Sequence, residues 1–67
     1  MLLANKLYTL RKAKNISLEK LHMQTGISTA SLSAYEKGKY MPSVENLCIL
    51  AKFYAVPLDE LLEETLG

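Results

Sequence analysis

Apolar residues recur along this chain at spacings of three and four, and no stretch alternates with period two over a useful length. The pattern predicts an all-α fold. Leu3, Leu7 and Leu10 form the first stripe, and Asn15 is the stop signal for a helix from about Leu3 to Lys14. Ser17 reads as the N-cap of a second helix, its hydroxyl accepting from an amide of the next turn, with Glu19 favouring the positive helix end. Ile16 and Leu21 have the spacing of a hydrophobic staple. Gly26 ends this helix by supplying a left-handed residue.

The same grammar repeats downstream. Ile27 precedes a capping Ser28, Leu32 takes the staple position, and Gly38 is the stop, so residues 29–37 form a third helix. Tyr40, Met41 and Pro42 make a loop, and Ser43 caps a fourth helix whose apolar stripe is Val44, Leu47, Leu50, Ala51 and Tyr54. Pro57 opens a fifth, about Leu58 to Glu64, with Leu58, Leu61 and Leu62 on one side. The expectation is a compact five-helix domain over residues 1–67.

Size changes the picture next. A chain of 67 residues buries only about 60% of its unfolded surface, so its core is marginal and a partner subunit is expected. Met1 to Lys6 lacks the basic start and sustained apolar stretch of a signal peptide, which predicts a cytoplasmic protein. Lys52 interrupts the apolar run Leu47-Cys48-Ile49-Leu50-Ala51 well short of the roughly 20 residues that span a bilayer. Cys48 is the single cysteine, so folding cannot rest on an intramolecular disulfide, and it is expected as a small core hydrophobe.

Catalytic chemistry has little to stand on. Cys48 and His22, on separate helices, fall short of the roughly four ligands a metal site wants. No paired carboxylates face a histidine, and no glycine-rich loop precedes a strand. The chain is expected not to be an enzyme and to need no metal, cofactor or small-molecule ligand.

Charge becomes informative once it is divided along the chain. Residues 1–39 hold Lys6, Arg11, Lys12, Lys14, Lys20, Lys37 and Lys39 against Glu19 and Glu36, a net of +5. Residues 40–67 hold Lys52 against Glu45, Asp59, Glu60, Glu63 and Glu64, a net of −4, which together restore the overall +1. The first half therefore suits a polyanion and the second half a different partner.

Two short helices joined by a glycine-containing turn inside a small helical domain make a helix-turn-helix pattern. Leu10-Arg11, Ile16-Ser17, Leu21, Gly26-Ile27-Ser28, Leu32, Tyr35-Glu36, Gly38-Lys39, Pro42-Ser43, Leu47, Ala51 and Leu61 together resemble the phage Cro/repressor, or Xre-type, family. The resemblance runs from about Leu3 to Leu62. It implies a five-helix DNA-binding domain, usually dimeric, whose third helix enters the major groove of an operator. It also implies that Arg11 pairs with Glu36, tying the first helix to the end of the third, a union suited to a guanidinium fork and a carboxylate.

Counting from Ser28 with Leu32 and Tyr35 inward, the outward face of the third helix comprises Thr29, Ala30, Ser33, Ala34 and Lys37. The resemblance assigns base-edge contacts to Thr29, Ala30, Ser33 and Ala34. Their small side chains suit thymine methyls and close approach, and give up the roughly 1–3 kcal/mol of discrimination that a bidentate side chain brings per base pair. Readout is then expected to lean on DNA shape. Ser17, Ser28, Lys37, Lys39 and Tyr40 match the family's phosphate contacts, and the two serines sit at helix starts where free amides face an anion.

Three positions depart from the family pattern. Leu18 stands where a glutamine commonly braces a phosphate, His22 stands where alanine commonly lets helices two and three cross closely, and the reading face is thin. His22 is expected either to widen the crossing or to turn outward. Ile49 and Phe53 lie off the apolar stripe and, with Leu62 and Leu66, are expected to form an exposed dimer seam. The reading is a homodimeric, cytoplasmic regulator, of repressor type, on a pseudo-palindromic double-stranded DNA operator. The competing reading is a protein-interaction module, such as an antitoxin or a regulator's partner, with weak or no specific DNA binding.

Overall fold

The computed structural model describes residues 2–62. Five α-helices follow one another: α1 (Leu3–Ala13), α2 (Leu18–Thr25), α3 (Thr29–Lys37), α4 (Val44–Tyr54) and α5 (Leu58–Leu62). The described residues contain no strand. Glu63 and Glu64, expected to close the fifth helix, and Leu66 of the expected seam lie outside the described residues.

Local chemistry sets the helix ends. Ser17, Ser28 and Ser43 each stand just before a helix in extended backbone, and each hydroxyl accepts from the amide three residues on, at 3.0–3.1 Å. One of the four unpaired amides at each start is thereby satisfied. Gly26 and Gly38 close α2 and α3 at φ 80° and 75°. A Cβ at Gly26 would meet nothing within 4 Å, so its backbone conformation alone calls for glycine there. Asn15 after α1 and Ala55 after α4 take left-handed values of 57° and 58° without being glycine.

The core gathers Leu3, Leu7, Leu21, Ile27, Leu32, Tyr35, Leu47, Leu50, Ala51, Tyr54 and Leu61 from all five helices and the turn before α3. Leu21, Leu32, Leu50 and Leu61 are its most completely enclosed large side chains. Each burial is worth about 1.5–3 kcal/mol relative to exposure. α3 packs on both α1 and α2, while α5 lies against α1 and α4.

Helices α4 and α5 correct three expectations. Val44, assigned to the buried stripe, is 74% exposed at the first position of the helix. Cys48, expected in the core, is exposed, since it lies about 100° round the helix from buried Leu47. Ile49, Phe53 and Leu62 do not form a free apolar patch: they are half-buried and pack against the chain's own core. The exposed large apolar side chains around the start of α4 are Tyr40, Met41 and Val44.

Candidate nucleic-acid interface

The turn between α2 and α3 is held from within. Thr25 Oγ1 donates to the Leu21 carbonyl at 2.8 Å and accepts from the Ile27 amide at 3.2 Å. His22 does not turn fully outward. Its half-buried ring places Nδ1 2.9 Å from the Ile27 carbonyl, which can only accept, so Nδ1 carries the proton. Ile27 itself is buried, fastening the turn to the core.

Helix α3 is then fixed to its neighbours by polar contacts. Arg11 Nε donates to Glu36 Oε2 at 2.8 Å and Nη2 to Oε1 at 3.0 Å, a two-pronged pair with side chains only 11% and 8% exposed. Arg11 Nη1 donates in addition to the Ile16 carbonyl at 2.8 Å, drawing in the α1–α2 connection. The hydrogen bond to Glu36 outweighs desolvation and raises the Arg11 pKa, so the guanidinium stays charged. Asn46 Nδ2 donates to Tyr35 Oη at 2.9 Å, tying α4 to the buried side of α3. The Tyr54 hydroxyl, buried with no hydrogen-bond partner among the described residues, is pushed up to about 12 by burial first and by Glu36 second, with Arg11 acting in the opposite direction.

Opposite these anchors lies the outward edge of α3. Ala30 is exposed, and Thr29 and Ser33 are half-exposed. Ala34 corrects the expected edge: at 8% exposure it is buried. The chain after Gly38 folds back so that the Lys39 amide bonds the Ala34 carbonyl at 3.0 Å, and a one-carbon side chain does not rise above such surroundings. Lys37, Lys39 and Tyr40 are exposed at the exit of α3, and neither lysine has a carboxylate partner among the described residues. Ser17 and Ser28 are exposed at the two helix starts. The Ser28 hydroxyl both accepts from the Ser31 amide and donates to Ser31 Oγ at 3.0 Å, leaving backbone amides as the anion-binding groups there.

Leu18 is half-buried and packs against the core. The Asn46 bridge and the His22 contact carry no signal in the hydrophobic pattern, because both depend on which loop or helix folds beside them.

A family profile described as helix-turn-helix matches residues 7–61. The chain belongs to the Xre-type helix-turn-helix family. Among its relatives are the HTH-type transcriptional activator BcrR of Enterococcus faecalis, 42% identical over 57 residues, and the cryptic phage CTXphi transcriptional repressor RstR of Vibrio cholerae, 34% identical over 62 residues. These alignments cover 85% and 92% of this chain and 28% and 56% of the relatives, so the chain spans roughly a quarter to a half of their length. The crystal structure of the P22 c2 repressor protein with synthetic operator 9T superposes with a TM-score of 0.88 at 28% identity, covering 94% of this chain and 96% of that one. The five-helix arrangement of this helix-turn-helix domain is thus that of a repressor solved on its operator. None of the described helices is long and apolar enough to cross a membrane.

Proposed function

We propose that this helix-turn-helix domain is a sequence-specific, double-stranded DNA-binding regulator that acts in the cytoplasm by occupying a pseudo-palindromic operator as a homodimer. One observation carries the reading: α3 is pinned on its inner side by Leu32, Tyr35 and Glu36, while its outer edge of Thr29, Ala30 and Ser33 runs into two lysines without a carboxylate partner among the described residues. A rigid helix with small outward side chains can approach the floor of a major groove closely. Thr29 and Ser33 hydroxyls would bond base edges, and the methyls of Thr29 and Ala30 would meet thymine methyls. Lys37, Lys39 and Tyr40, together with the helix starts at Ser17 and Ser28, would hold phosphates and set the register.

The relatives named as an activator and a repressor show that this family serves both outcomes. Occupation of an operator by a domain of this size acts most directly as repression. The dimer would form through exposed Met41 and Val44 beside the exit of α3. Two recognition helices would then sit about 34 Å apart, one turn of duplex.

A titration against selected and random duplexes at several salt concentrations tests the reading. Affinity should fall steeply as salt rises and should favour the selected duplex by about a thousandfold or more. Absence of binding to either duplex at about 50 mM salt would exclude DNA as the ligand and favour the protein-interaction reading.

A further inference from the structure

An open groove of about 560 Å³ lies between the end of α1, α2 and α4, lined by Lys14, Ile16, Lys20, Gln24 and Phe53. None of these residues belongs to α3. Ile16 and Phe53 are half-buried on the core and give the groove an apolar floor. Lys14 and Lys20 are exposed and have no carboxylate partner among the described residues. Lys14 Nζ stands 5.6 Å from the centre of the Phe53 ring, where a cation is held by the ring face while its charge remains available. An apolar floor between two unneutralised cations suits a segment that carries carboxylates beside an aliphatic side chain.

The chain carries such a segment itself. α5 presents exposed Asp59 and Glu60 next to half-buried Leu58, contains no basic residue, and is followed in sequence by Glu63 and Glu64. Among the described residues no ion pair joins Lys14 or Lys20 to Asp59 or Glu60. Lys6 Nζ donates to the Glu60 carbonyl at 2.8 Å, which places α5 along the first half of α1. Lys14 lies eight residues further along, about 12 Å at helical rise. Asp59 and Glu60 likewise have no ion-pair partner among the described residues, so their charge is not neutralised by pairing there.

We infer that the Lys14/Lys20/Phe53 groove receives the acidic α5 end of a second copy of this chain. The donating and accepting surfaces differ, so the contact is head-to-tail, and each bound copy still offers one of each. It would join DNA-bound units side by side while leaving the outer edge of α3 open. The inference does not depend on DNA binding and is tested without DNA. Because the attracting charges are solvent-exposed, the association is weak and sensitive to salt.

Sedimentation velocity of the full chain over a range of concentrations, at about 25 mM and about 500 mM salt, reads the contact. At low salt the weight-average mass should climb beyond that of two chains, and at high salt it should fall back. Lys14→Glu with Lys20→Glu, or Asp59→Lys with Glu60→Lys, should each weaken this growth by about tenfold or more. An equimolar mixture of the two double variants should recover it, because each altered groove meets an oppositely charged α5. Circular dichroism establishes that each variant is folded. If Glu60→Lys disturbs α5 through nearby Lys6, Asp59→Asn with Glu60→Gln should show the same loss. Wild-type protein that stops at two chains in low salt, variants that assemble like wild type, or a mixture that fails to recover would each overturn the inference.

Discussion

Replacing Arg11 by methionine would leave the Glu36 carboxylate in a site where its side chain is only 8% exposed, stripped of both guanidinium bonds. Breaking a buried pair by removing one partner costs about 3–5 kcal/mol, since the remaining charge stays desolvated. A chain of this length has a total stability of about 3–10 kcal/mol, so the single change removes about a third of it or more. Arg11→Met also releases the Ile16 carbonyl and the guanidinium 5.6 Å from the Tyr8 ring centre, which adds to the loss. Glu36→Leu should be comparably damaging, because the fork then faces an apolar neighbour. The double variant removes both charges and fills the site with aliphatic side chains, and should lie within about 1–2 kcal/mol of wild type. Urea unfolding followed by circular dichroism on all four proteins gives the coupling directly. The reasoning fails if each single variant costs less than about 1 kcal/mol and the two effects simply add, as they do for exposed ion pairs.

Three further outcomes are expected. Ala55→Gly should stabilise the fold by about 0.5–1 kcal/mol in the same denaturation assay, because the left-handed conformation at φ 58° strains alanine more than glycine's extra chain entropy costs. Tyr54→Phe should change stability by no more than about 1 kcal/mol at neutral pH, since the hydroxyl lost has no partner among the described residues. With the native pKa raised to about 12 from 10.0, the neutral Tyr54 contributes its full stability below about pH 10 and loses it as pH rises through about 12. The advantage of wild type over Tyr54→Phe should decline across that window in pH-dependent thermal melts. Lys37→Ala with Lys39→Ala should weaken binding on every duplex sequence and lower the slope of log affinity against log salt by about 1.8.

The helix boundaries were legible because caps are local chemistry. A serine followed by a free amide three residues later, and a glycine where the backbone must turn left-handed, need no knowledge of the rest of the fold. Ala55 escaped this reading since it performs the closing turn of α4 without the glycine that usually marks it. Periodicity gives the angle of a residue around its helix and says nothing of whether a neighbour reaches that far along the axis. Val44 therefore emerged exposed on a face expected to be covered, and Ala34 was buried on a face expected to be open. The outward positions of the candidate site came from helix periodicity, and the roles expected of them and of the flanking Lys37, Lys39 and Tyr40 from family resemblance. The bonds that steady it, from Asn46 to Tyr35 and from His22 to Ile27, arise between segments that only folding brings together.

The atoms that hold α3 in place and those it turns outward are almost disjoint sets: Leu32, Tyr35 and Glu36 carry the first task, and Thr29, Ala30 and Ser33 are spare for the second. If that edge reads DNA as proposed, a lineage of such proteins would drift from one target preference to another by exchanging three short side chains, each step passing through a folded molecule. The same separation lets an engineer graft longer hydrogen-bonding residues onto that edge without redesigning the scaffold beneath it.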